Sequence, residues 1–99
     1  METFTKEFYV SGIVQGVGFR HYASVEAKKI GVKGFVKNLE DGRVLVVATG
    51  TAVQLSRLNS WLHIGSPFGR VSKVEVQDYK GKETFKDFRP RYEFDLLSD

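Results

Sequence analysis

The sequence predicts an α+β fold: a split β-α-β sandwich in the order βαββαβ, with two helices on one face of a mainly antiparallel sheet and room for a short fifth strand. Three observations lead there. Apolar residues alternate with period two near both ends of the chain, two stretches switch to helical spacing, and an Asp-Gly turn signal separates two runs rich in β-branched residues.

Phe8, Val10, Gly12 and Val14 alternate with Tyr9, Ser11 and Ile13, which reads as a first strand stopping at Gly16, Val17 and Gly18. The spacing then becomes helical. Phe19, Ala23, Ala27 and Ile30 share one face, Lys28 and Lys29 occupy the last turn, and Gly31 stands as the stop. Val32 to Asn38 reads as a second strand and Arg43 to Thr49 as a third, joined through Asp41 and Gly42. Thr51 and Gln54 have the spacing of a capping box, and Leu55, Leu58 and Leu62 form the stripe of a second helix ending near Gly65 and Pro67. Val71 to Tyr79 alternates again, and Tyr92, Phe94 and Leu96 are expected to form the short final strand beyond a polar segment from Lys80 to Lys86.

At 99 residues, 41 % hydrophobic and 27 % charged, the chain suits one core and is read as a single domain over 1–99. Without cysteine, disulfides, thiolate nucleophiles and cysteine-ligated metals are excluded. Neither a basic-then-apolar leader nor an apolar run of roughly 20 residues occurs, so a cytoplasmic location without membrane contact is the expectation. The net charge of +3 is dispersed among acidic residues, which favours small anions over a nucleic-acid arm.

Between the first strand and helix, Gln15, Gly16, Val17, Gly18, Phe19 and Arg20 stand where backbone amides lack carbonyl partners and can converge on one anion. Two glycines permit the nest conformation, and Arg20 offers a charged fork for phosphate oxygens. The same residues would also make an ordinary strand-to-helix turn, since the spacing fits neither the Walker loop nor the dinucleotide fingerprint. Asn38, at the end of the second strand, reads by itself as a turn asparagine bonded to local backbone more than as a site residue.

Taken together, these segments resemble a known family. Val14, Gln15, Gly16, Val17, Gly18, Phe19 and Arg20 resemble the first sequence signature of the acylphosphatases. Gly34, Phe35, Val36, Lys37 and Asn38, followed by Gly42, Val44 and Gly50, resemble the second. Phe85, Phe88 and Arg89 are similar to the closing aromatic and arginine residues, so the resemblance covers most of residues 7–94. Gly18 stands where animal members usually carry a larger residue, and Ser66 and Phe68 where relatives often read glycine, proline, proline.

The resemblance implies a ferredoxin-like fold and a metal-independent hydrolase that splits acyl phosphates into carboxylate and inorganic phosphate. It implies that the 15–20 amides and Arg20 bind the phosphoryl oxygens while Asn38 orients the attacking water. No cofactor is expected. Expected partners are a small-molecule acyl phosphate and, as competing anions, phosphate or sulfate, bound by a monomer. Such chemistry relies on positioning and preorganised positive dipoles, and the carboxylate leaving group is a weak base. His21 and His63 are read as helix-surface residues, and Ser11 and Ser24 as structural, because none has a partner that would activate it. Two other readings remain. Lys33, Gly34, Phe35 and Val36 resemble part of an RNA-recognition motif, but on the wrong strand and without further aromatics. A non-catalytic anion-binding domain would account for the loop but not for the pairing of Arg20 with Asn38.

Overall fold

Seven elements appear in the structure, a computed structural model that describes residues 1–92. β1 (Phe4–Ile13) leads through the glycine loop into α1 (Phe19–Ile30). β2 (Lys33–Asn38) and β3 (Val44–Gly50) form the hairpin, α2 (Ala52–Ile64) follows, and β4 (Arg70–Asp78) and β5 (Phe88–Arg91) complete the sheet. The strand order is β4-β1-β3-β2-β5, antiparallel throughout except that β5 joins β2 in parallel.

The helices form where their end signals stand. Gly31 closes α1 in the left-handed conformation, its N–H donating to the Ala27 carbonyl at 2.9 Å. At the start of α2 the Thr51 hydroxyl accepts from the Gln54 N–H at 3.2 Å, and Gln54 Oε1 accepts from the Thr51 N–H at 2.9 Å. A cap of this kind contributes about 1 kcal/mol. Gln54 Nε2 also donates to the Ile30 carbonyl at 3.2 Å, tying the end of one helix to the start of the other.

β1 begins four residues earlier than its alternation suggests, because Thr5 faces Thr49 across the ladder with their hydroxyls 2.6 Å apart. A strand also forms ahead of the run expected to supply the final one. Phe88–Arg91 pairs with β2, ahead of the run from Tyr92 to Leu96, of which Phe94 and Leu96 lie outside the described residues. Phe88 is the physical reason. Its side chain is fully buried in the main core, and the Gly34 N–H donates to the Asp87 carbonyl at 2.9 Å, fixing the register just ahead of it. Pro90 has no N–H to donate, a loss that an edge strand tolerates.

The main core fills the space between sheet and helices: Phe8, Val10, Val36 and Val46 from the sheet meet Phe19, Ala23, Leu58 and Leu62 from the helices. A second, smaller cluster covers the opposite face. Phe35, Leu45 and Val47 pack there against Tyr79 and Phe85, with the Phe85 ring 5.7 Å from Phe35 and 6.0 Å from Tyr79. The segment read as polar therefore carries an aromatic lid over the sheet. Buried Glu7 anchors one end of it, its Oε1 accepting from Gln77 Nε2 at 2.6 Å and its Oε2 from the Lys80 N–H at 3.3 Å. Burial, then the neighbouring Glu7 charge, raises the Tyr9 phenol above its ordinary value.

Candidate active site

The turn from β1 into α1 is built on backbone that side chains resist. Gly16 and Gly18 have φ of 75° and 74°, conformations that L-residues rarely adopt. Gly18 occupies the N-cap of α1, no side chain caps the helix, and its first turn contains no acidic residue. The first-turn N–H groups and the positive end of the helix dipole are therefore available to an anion. Phe19 anchors the exit of the loop, its ring 5.6 Å from Trp61.

A pocket of about 180 Å³ opens at this turn. Val14, Gly16, Gly18 and Phe19 line it from the loop, Arg20 and His21 from the first turn of α1, Asn38 from the end of β2, and Tyr92 from just beyond β5. Two larger surface hollows lie elsewhere. One of about 380 Å³ borders Phe4, Phe8 and Leu55, and one of about 430 Å³ borders Lys29 and Arg57. Neither includes any residue of the glycine loop, Arg20 or Asn38.

The sheet explains why Asn38 and Tyr92 meet. Parallel pairing sets Gly34 opposite Phe88 and Lys37 opposite Arg91, so one step further brings Asn38 beside Tyr92. Half-buried Arg20 reaches the last residue of that strand and the one after it: Nη1 donates to the Arg91 carbonyl at 3.3 Å, and its guanidinium carbon stands 4.3 Å from the centre of the Tyr92 ring. Asn38 is only 8 % exposed. The hydrogen bonds of the adjoining turn come from Leu39, Gly42, Asp41 and Gln15, with none from the Asn38 side chain among the described residues. The turn-stabilising role common to such asparagines is thus filled by others.

Of the residues expected at the site, Gly16, Gly18, Phe19, Arg20 and Asn38 share the pocket, whereas Gln15 and Val17 do not line it. Val17 packs against the main core. The Gln15 side chain turns to the hairpin, where Nε2 donates to the Leu39 and Arg43 carbonyls at 2.7 and 2.9 Å. Ser24 donates to the Arg20 carbonyl at 2.7 Å, a bond internal to α1. His63, with Nδ1 2.8 Å from the Asn59 carbonyl, sits on α2 outside the pocket. Exposed His21, in contrast, forms part of the pocket wall. Its place in the first turn after the glycines was the available signal. Tyr92 was missed as a pocket residue because only the strand register brings it there. Among the described residues, no group of three or more His, Cys, Asp or Glu side chains could hold a metal ion.

A family model described as Acylphosphatase matches residues 6–90. The chain belongs to the acylphosphatase family. It is 47 % identical over 87 residues to an acylphosphatase of Pasteurella multocida, covering 88 % of this chain and 97 % of that protein. An acylphosphatase of Archaeoglobus fulgidus is 43 % identical over 86 residues, 87 % of this chain and 96 % of the relative. The crystal structure of acylphosphatase from Bacillus subtilis matches with a TM-score of 0.84 at 35 % identity, covering 92 % of this chain and all of that one. An acylphosphatase structure from Coxiella burnetii gives 0.83 at 37 % identity, covering 90 % and 93 %. Acylphosphatase membership makes the chain a hydrolase of small-molecule acyl phosphates, on the ferredoxin-like fold described above. No helix among the described residues is long and apolar enough to cross a membrane.

Proposed function

We propose that the chain acts as a single domain over 1–99 and hydrolyses acyl phosphates at the pocket between the glycine loop and Asn38. One observation carries this: an uncapped helix start on two positive-φ glycines, a charged guanidinium and a buried asparagine outside the local turn bonding all border one small pocket. The loop amides from Gln15 to Arg20, with the Arg20 guanidinium, hold the phosphoryl oxygens where negative charge spreads as the reaction proceeds. The Asn38 amide holds a water opposite the leaving group. The water oxygen bonds to phosphorus as the phosphorus–oxygen bond to the acyl group breaks, the proton the water loses ends on the inorganic phosphate, and the carboxylate departs without needing one. Positioning and charge stabilisation supply the rate.

Inorganic phosphate and sulfate compete for the same cradle. The enzyme works as a cytoplasmic monomer without metal. Acetyl phosphate, carbamoyl phosphate and other acyl phosphates present the same phosphoryl end to the loop. Hydrolysis of acetyl phosphate or benzoyl phosphate, with and without chelator, is the test. Absence of turnover, or its loss on chelation, overturns the reading. The RNA-binding alternative is weakened by Phe35, which is buried beneath Phe85 and cannot stack on a base.

A further inference from the structure

We propose that the Gln15 side chain is a positioning residue that sets where Asn38 stands relative to the anion loop, and so acts on turnover and not on phosphate affinity. The inference rests on the water-orienting role proposed for Asn38. The loop leaves the end of β1 and Asn38 ends β2, but these strands are not neighbours, since β3 runs between them. Two strand spacings, roughly 10 Å, separate such ends. The Gln15 side chain links loop and hairpin beyond the start of β3. Its Nε2 donates to the Leu39 carbonyl at 2.7 Å and to the Arg43 carbonyl at 2.9 Å, the two ends of the turn that begins directly after Asn38.

The turn closes without this help. The Leu39 N–H donates to the Arg43 carbonyl at 2.8 Å, the Gly42 N–H to the Leu39 carbonyl at 3.2 Å, and the Arg43 N–H to Asp41 Oδ1 at 3.0 Å. What the two Gln15 bonds add is therefore a strut between the hairpin and the loop, parts of the chain 24 and 28 residues apart. A reacting water tolerates little misplacement, with a shift of about 1 Å enough to cost on the order of 100-fold in rate. Phosphate bound by loop amides and Arg20 is held on the loop side of the strut and does not depend on it.

Gln15→Met in the full chain keeps the length of the side chain and removes both donors. The expected result is a fall in kcat for acetyl phosphate of about ten-fold or more, with the Ki for inorganic phosphate within about two-fold of wild type. In an Asn38→Ala background, followed at high enzyme concentration, the same substitution should leave kcat unchanged, because nothing remains to be positioned. Wild-type turnover by Gln15→Met overturns the inference. So does a phosphate Ki that rises in step with the lost kcat, an equal loss in both backgrounds, or failure of Gln15→Met to fold. Wild-type turnover by Asn38→Ala alone would instead remove the underlying reading, and this inference with it.

Discussion

The Arg20 guanidinium lies over the face of Tyr92, 4.3 Å from the ring centre, while Nη1 donates to the neighbouring Arg91 carbonyl. The end of β5 thus sets the plane of the fork offered to the phosphoryl group. Arg20→Ala should lower turnover by roughly two or more orders of magnitude with the fold intact. Arg20→Lys should recover little, since an ammonium neither stacks as a plane nor binds two oxygens in parallel. Tyr92→Phe keeps the ring and should stay near wild type, whereas Tyr92→Leu should lose several-fold. Steady-state rates with circular dichroism decide the matter, and an Arg20→Ala enzyme at full rate would sink the phosphate assignment.

Phosphate and sulfate should both inhibit competitively and raise the melting temperature. A ligand selective for the native state stabilises it by about 2.7 kcal/mol at one hundred times its Kd. The shift should vanish in Arg20→Ala. An undiminished shift in that variant would locate the anion elsewhere.

Asn38→Asp separates two roles for this side chain. A carboxylate is the better general base, so a site needing only proton abstraction would tolerate it. A site that orients water beside a phosphoryl group would not, because the new charge repels substrate, competes for Arg20 and removes an amide donor. Near-complete loss of activity, matching Asn38→Ala, is expected with a native dichroism spectrum. Substantial activity in the Asp variant argues against water orientation.

Asp41 supplies a pH signature in the turn beside Asn38. Its carboxyl is held below its ordinary value of 3.8, first because Oδ1 accepts the Arg43 N–H, with the Arg43 side chain reinforcing the effect. A carboxyl lowered by folding contributes stability above 3.8, and that contribution disappears as pH falls below it. Asp41→Asn retains an acceptor and removes the charge. Its melting temperature should sit slightly below wild type near neutrality and converge with it in acid. A gap that persists through acid would assign the effect to shape and not to charge.

The parts of this molecule that could be read from sequence are those written in local signals. Gly31 ends α1, the Thr51–Gln54 box starts α2 and Asp41-Gly42 turns the hairpin, each within a few residues of its partner. The strand Phe88–Arg91 was not legible because it has little alternation, and a strand paired with a single described neighbour needs little. The Tyr79–Phe85 lid was hidden by the lysines and acidic residues around it. At the site, the loop, Arg20 and Asn38 were legible as motifs, but Tyr92 and the span of Gln15 were not, since both depend on the order of strands in space.

β5 is the last strand among the described residues, and it docks by setting Phe88 beside Gly34. The pocket walls run from Val14 to Tyr92, almost the whole described length. During refolding, hairpin and helices can assemble from nearby residues, whereas this strand must find a partner far back in the chain, with Gly34 opposite Phe88, and long-range pairing is slow to arrive. Enzymatic rate is therefore a clock for long-range pairing: helical dichroism should return first, and the lag before catalysis times the docking of β5.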